Sequence, residues 1–226
     1  MTLPAQVFTI ATTPVADVAL VQIYVVSDLD YVIPLVFPDY KIRIDGYQAT
    51  LFGRKLTIPD VSAPYLGHAG VLIINGKNGQ SKYYEYGRYP GPGPAGRVRV
   101  GNIPDVVLND GGAITESSFK KTLRHISSKH GQSGDITGVV LRGAVYDKAL
   151  SWLKEKEAEN TKATRKEYDL GNHNCITFAT DLAEAVGFSI PRRFLAVVPT
   201  TYMMQFQISE PDLDYTFATD TLEITE

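Results

Sequence analysis

The chain has 226 residues, 44% hydrophobic and 21% charged, with a formal net charge of −3 and a single cysteine. This is the balance of an ordinary globular protein long enough for one large domain or two small ones. It speaks against nucleic-acid binding by bulk electrostatics and excludes an internal disulfide, and its apolar runs are too short for stable membrane insertion as a helix.

Residues 1–64 read as a strand-rich extension or subdomain. The first 26 residues lack the basic segment of a secretory signal and are interrupted by Pro4, Pro14 and Asp17. The protein is therefore expected either to stay in the cytoplasm or to leave its cell without a cleaved signal peptide. Val18–Val26 is β-branched and nearly continuous, as in a buried strand. Val32–Phe37 and Lys41–Ile44 are shorter strand candidates, and Gln48–Phe52 with Lys55–Ile58 flank Gly53-Arg54 as a hairpin would. No reactive constellation stands out in this part.

The next segment, Leu66-Gly-His68-Ala-Gly-Val-Leu-Ile-Ile74, reads as a strand with a histidine at its start and small residues around it. Asn75-Gly76 and Asn78-Gly79 are turn signals, and the aromatic strand Lys82–Tyr89 follows. A meander of this kind places His68 beside Glu85, and a carboxylate next to an imidazole holds its tautomer and raises its basicity. Strand alternation sends Tyr84 and Tyr86 to the other face, so Glu85 equally suits a solvent-facing position. Pro90–Gly96 is a rigid loop, either a pocket wall or a simple connection, and Arg97–Val100 is a further strand carrying Arg97 and Arg99 on one face.

Thr115 caps an expected helix to about Lys129, with Phe119, Leu123 and Ile126 buried. His125 and His130 read as surface residues without metal-ligand company. Ile136–Val140 reads as a strand and Tyr146 to about Asn160 as a helix. The only cysteine lies in YDLGNHNCITFATDLAEAVGF, residues 168–188. Cys175, Ala179, Leu182, Ala183 and Val186 share one helical face, Asn174 is a good N-cap and Gly187 a C-terminal stop. A thiol in the first turn of a helix is biased toward thiolate by the unpaired amides and the dipole. The competing reading is a small buried hydrophobe. Pro191 and Pro199 read as chain breaks, Tyr202–Ile208 as one more element, and residues 210–226 as a peripheral acidic tail.

The histidine strand in GHAGV (67–71), the aromatic strand YYEYGRY (83–89) and the Asn174-Cys175 pair come in that order. Together they resemble circularly permuted papain-like cysteine hydrolases of the NlpC-type superfamily, including domains of bacterial toxins and effectors. The resemblance spans roughly residues 65–186. It implies an α+β fold in which an antiparallel sheet packs on helices and the nucleophile opens a helix, within a catalytic domain of residues 65–209. It further implies Cys175 as nucleophile, His68 as general base, and Glu85 as the orienting residue, with Tyr84 and Tyr86 competing by register. The Cys175 amide would help bind the oxyanion, with Asn174 or Asn172 assisting.

On that resemblance the expected activity is amide hydrolysis through an acyl-thioester, needing no metal and no cofactor. The expected setting is an antibacterial effector, type VI secretion being the plausible route. The substrate would be a peptidoglycan peptide amide or a target-cell protein, and a cognate immunity protein would be the natural partner. Two alternatives remain. One is thiol-dependent acyl transfer or lipid hydrolysis, although Ile176 and Thr177 stand where permuted acyltransferases carry Glu and His. The other is a non-catalytic binding module that keeps the fold and uses the aromatic strand as a partner surface.

Overall fold

The computed structural model describes residues 29–44, 47–51, 54–58, 61–63, 67–169, 171–193 and 198–225. The strand expected at Val18–Val26 and the turn residue Gly53 lie outside them. At the centre is an antiparallel sheet whose middle strand, β1 (Asp30–Phe37), is apolar on both faces, as a strand covered from two sides must be. Val32 and Val36 enter one core; Tyr31, Ile33, Leu35 and Phe37 enter the other.

Two short ladders follow β1: β2 (Ile42–Ile44) pairs with β5 (Val61–Ala63), and β3 (Tyr47–Leu51) with β4 (Arg54–Ile58). The chain then returns to the main sheet through β6 (His68–Ile74), β7 (Ser81–Gly87) and β8 (Arg97–Gly101). The helix α1 (Glu116–His130) is followed by β9 (Ile136–Val139), β10 (Leu141–Gly143), α2 (Tyr146–Ala158), α3 (Cys175–Val186), α4 (Pro199–Gln207), β11 (Asp212–Thr216) and β12 (Thr221–Thr225). The strand order is β12-β11-β9-β1-β6-β7-β8, with β10 also paired to β1, and every pairing is antiparallel.

Helices cover both faces. Leu153 of α2, Leu182 and Val186 of α3, and Met203 and Phe206 of α4 share one core with Ala69, Val71 and Ile73 of β6. Phe119, Leu123 and Ile126 of α1 fill the other with Leu72, Ile74 and Tyr83. The helix α3 begins where the sequence pattern places it. The Asn174 side chain accepts from the amides of Ile176 and Thr177, and the Thr177 hydroxyl accepts from the Asn174 amide, a reciprocal cap. Gly187 ends the helix in the left-handed conformation, φ 108°.

Three expectations are corrected. The strand Asp30–Phe37 falls within the segment read as an extension, yet it is the middle of the sheet, because its partners β6 and β9 lie far downstream. Residues 212–225 form the hairpin β11–β12 on β9 rather than a peripheral tail. Leu213, Tyr215 and Leu222 are buried in a period-two pattern that their acidic neighbours obscure. Pro199 opens α4 instead of breaking the chain, which suits a residue with no amide to leave unpaired in a first turn.

Gly70 is a steric necessity. A Cβ there would sit 2.2 Å from the Tyr83 hydroxyl oxygen and 2.6 Å from its Cζ. Space next to the His68 strand is therefore occupied by this phenol rather than open. Gly70→Ala is expected to destabilise the protein by about 1–3 kcal/mol, as overpacked cores do. Chemical denaturation should show it as a lower midpoint at unchanged slope.

Candidate active site

His68 opens β6 opposite Phe37 of β1, so its ring lies at the end of the sheet rather than over its middle. The first turn of α3 reaches the same end. There Cys175, 2% exposed, neighbours the His68 side chain and the backbone amides of Ala69 and Ile176, and these act on its thiol. The register Gly70↔Glu85 places Glu85 one step along the same face of the neighbouring strand as His68. His68 Nε2 lies 3.4 Å from Glu85 Oε2 and 3.1 Å from the Tyr89 hydroxyl. With Nε2 so engaged, Nδ1 is the ring nitrogen left to face the thiol.

Glu85 is also 2% exposed and is surrounded by donors. The Tyr83 hydroxyl donates to Oε2 at 3.2 Å, His130 Nδ1 lies 3.3 Å from Oε1, and Arg99 Nη1 lies 3.8 Å from Oε1. Burial favours the neutral acid, but hydrogen bonds from His130 and His68 and the charges of both rings hold this carboxyl well below the usual carboxylate range. Burial would likewise lower the His68 pKa. The hydrogen bonds to Cys175 and Glu85, and the negative charge on both, outweigh it and raise the imidazole to about 9. Burial pushes the Cys175 thiol up, while the His68 hydrogen bond and charge, with the two amides, bring it below its ordinary value. The electrostatics therefore favour a thiolate–imidazolium pair beside an ionised glutamate.

The remaining sequence candidates sort by geometry. Alternation sends Tyr84 and Tyr86 to the α3 face, where Tyr86 stacks between Tyr168 and Phe178. Neither competes with Glu85 for His68. Asn174 is buried and its side-chain oxygen is spent on the helix cap. Asn172 is exposed and bonds to the Asp169 carboxylate through its amide and side chain, turned into its own loop rather than toward the sulfur. His173 packs its ring on Tyr86 at 4.9 Å. Arg97 holds the carbonyls of Asn160 and Pro92, bracing the Pro90–Gly96 loop, whereas Arg99 lies over the Tyr89 ring at 4.4 Å.

Three residues without a role in the sequence reading enter the site. Tyr89 and Tyr83 had a usable signal, since both lie an even number of positions from Glu85 on the aromatic segment. His130 had none: it ends α1, and only the packing of that helix on the sheet brings it to Glu85. Its reading as a surface residue is corrected, since its side chain is 11% exposed. Tyr168 is a fourth addition. Its hydroxyl neighbours Cys175, and its pKa is raised by burial and by that sulfur. If Cys175 acts as a nucleophile, Tyr168→Phe is expected to cut turnover by about tenfold or more while leaving folding intact, since it deletes one polar group at the sulfur. Comparison of kcat with the thermal midpoint of the variant checks this.

Among the described residues no group of three or more His, Cys, Asp or Glu could hold a metal ion. No helix among them is long and apolar enough to cross a membrane. Residues 32–187 match the model of a protein family described as type VI secretion system effector, TseH-like. The crystal structure of the type VI secretion system effector TseH is similar to this chain at 42% sequence identity. The match has a TM-score of 0.75 and covers 88% of this chain and 99% of that one. No curated protein matches the chain significantly.

Proposed function

The chain belongs to the TseH-like family of type VI secretion system effectors, and from that premise we propose that it is a cysteine amidase delivered to damage a target cell. The observation that carries this reading is the buried Cys175 at the start of α3 beside His68, whose Nε2 faces the ionised Glu85. The chain order of these three residues also agrees with a permuted papain-like ancestry.

In the proposed reaction the Cys175 thiolate attacks an amide carbonyl. The oxyanion forms beside the helix N-terminus, and the C–N bond breaks as His68 protonates the departing amine. Water then attacks the thioester with His68 as base, releasing a carboxylic acid and restoring the thiolate. Glu85 holds the imidazole throughout. A peptidoglycan peptide amide or a target-cell protein is the substrate class that suits an antibacterial effector, and a producing cell would need an immunity protein to occlude the site.

The alkylation rate of Cys175 by iodoacetamide, followed against pH, tests the pair. In the wild type the reactive form should appear well below the ~8.5 of a free thiol. In His68→Ala the profile should move up to that of an ordinary or buried thiol. Coincident, slow profiles would make Cys175 a core residue and the protein a binding module. Digestion of purified cell-wall peptides, read by mass spectrometry for new carboxyl and amino termini, then separates an amidase from an acyltransferase.

A further inference from the structure

The orienting carboxylate has two oxygens, and only one of them faces the catalytic imidazole. The torsion that sets a glutamate carboxylate plane is broad and roughly two-fold. An unanchored Oε1 would therefore let Oε2 swing away from His68. Tyr83 cannot supply that anchor, because its hydroxyl donates to Oε2 itself. Arg99 is a poor one: at 3.8 Å it is beyond hydrogen-bond length, and its side chain is 56% exposed.

His130 is placed to do it. Its Nδ1 lies 3.3 Å from Oε1. The ring packs against Tyr83 of β7 with centroids 4.8 Å apart, and it occupies space that a side chain on Gly101 of β8 would fill. A Cβ on Gly101 would come within 2.7 Å of His130 Nε2. The imidazole is thus seated by two strands, with Nδ1 aimed at the carboxylate. The groups facing it are Glu85 and Tyr83 on β7 and Gly101 on β8; Arg99 approaches the same oxygen, Oε1, from farther off, and His68 is at the other oxygen.

We propose that His130 is a positioning residue: an Nδ1–H bond to Glu85 Oε1 fixes the carboxylate so that Oε2 stays on His68, and the last turn of α1 thereby sets the reactivity of Cys175 from the opposite face of the sheet. This rests on the thiol reading of Cys175 and His68 given above.

The test uses the full-length protein and the same alkylation profile, in wild type, His68→Ala, His130→Ala and His130→Asn. Asparagine carries an amide nitrogen near the Nδ1 position and cannot titrate. His130→Ala should move the onset of the reactive thiolate upward by about one pH unit, toward the His68→Ala profile. His130→Asn should restore the wild-type onset. An alanine profile superimposed on wild type, or an asparagine variant no better than alanine, overturns the proposal while leaving the Cys175–His68 pair standing. A wild-type profile identical to that of His68→Ala overturns both. If His130→Ala does not fold, the unaltered protein decides through its histidine ring nitrogens, by 15N NMR above pH 8. A proton on His130 Nδ1 supports the bond, and the Nε2–H tautomer overturns it.

Discussion

On the proposed amidase reading, Cys175→Ala is expected to abolish hydrolysis, with a loss of at least about a thousandfold, and to leave the fold nearly unchanged. The magnitude follows from the way nucleophile and base act as a unit: deleting the nucleophile removes the covalent route and leaves only binding and the oxyanion amides. The fold should survive because the change deletes one sulfur from a site whose cap, Asn174 with Thr177, is intact. Melting temperature and product formation, measured on the same preparation, check both halves. A variant that keeps its turnover would remove Cys175 from the chemistry. When such an effector is produced in the compartment it attacks, the same substitution should also remove its toxicity.

The second large effect falls on Glu85. Glu85→Gln preserves shape but removes the charge that holds imidazolium at His68, and a misoriented or neutral imidazole in a triad costs on the order of 10²–10⁴ in kcat. The substitution should also change how stability depends on pH. The carboxyl titrates lower in the folded protein than its ordinary 4.5. Between the two values the unfolded chain binds more protons, so Glu85 contributes stability that is fully present above about pH 4.5 and is lost as the pH falls through the folded value. His68 works in the opposite sense. Its folded pKa of about 9 exceeds its ordinary 6.5, so its contribution is complete below 6.5 and fades as the pH rises through about 9. Denaturation of wild type across pH 3–10 should therefore show an acid loss that Glu85→Gln lacks. In that variant the alkaline loss should be smaller and should end at lower pH, because His68 has lost one of its two anionic partners and its folded pKa falls toward the ordinary value.

Most elements of the chain were legible as local pattern. The helical stripe of α3, its Asn174 cap and its Gly187 stop read directly, because propensity and burial agree there. The strand carrying His68 and the aromatic strand after it read equally well as neighbours, but which side chain of the second strand meets the histidine came only from the register Gly70↔Glu85. The hairpin β11–β12 was hidden by acidic residues on its solvent-facing positions, and Pro199 pointed two ways, since proline both breaks and begins helices.

The sequence by itself determined the candidates for the proposed chemistry: one cysteine at a helix start, a histidine at a strand start, and on the next strand a glutamate whose register it left open against Tyr84 and Tyr86. Tertiary structure decided what surrounds them. It placed β1 in the middle of the sheet, brought Tyr168 onto the thiol, and delivered His130 from the last turn of α1 to the far oxygen of Glu85. The physical reason is that helix and strand periods act over neighbouring residues. The docking of α1 on one face and α3 on the other depends instead on how two cores, separated by a sheet, fill their volumes.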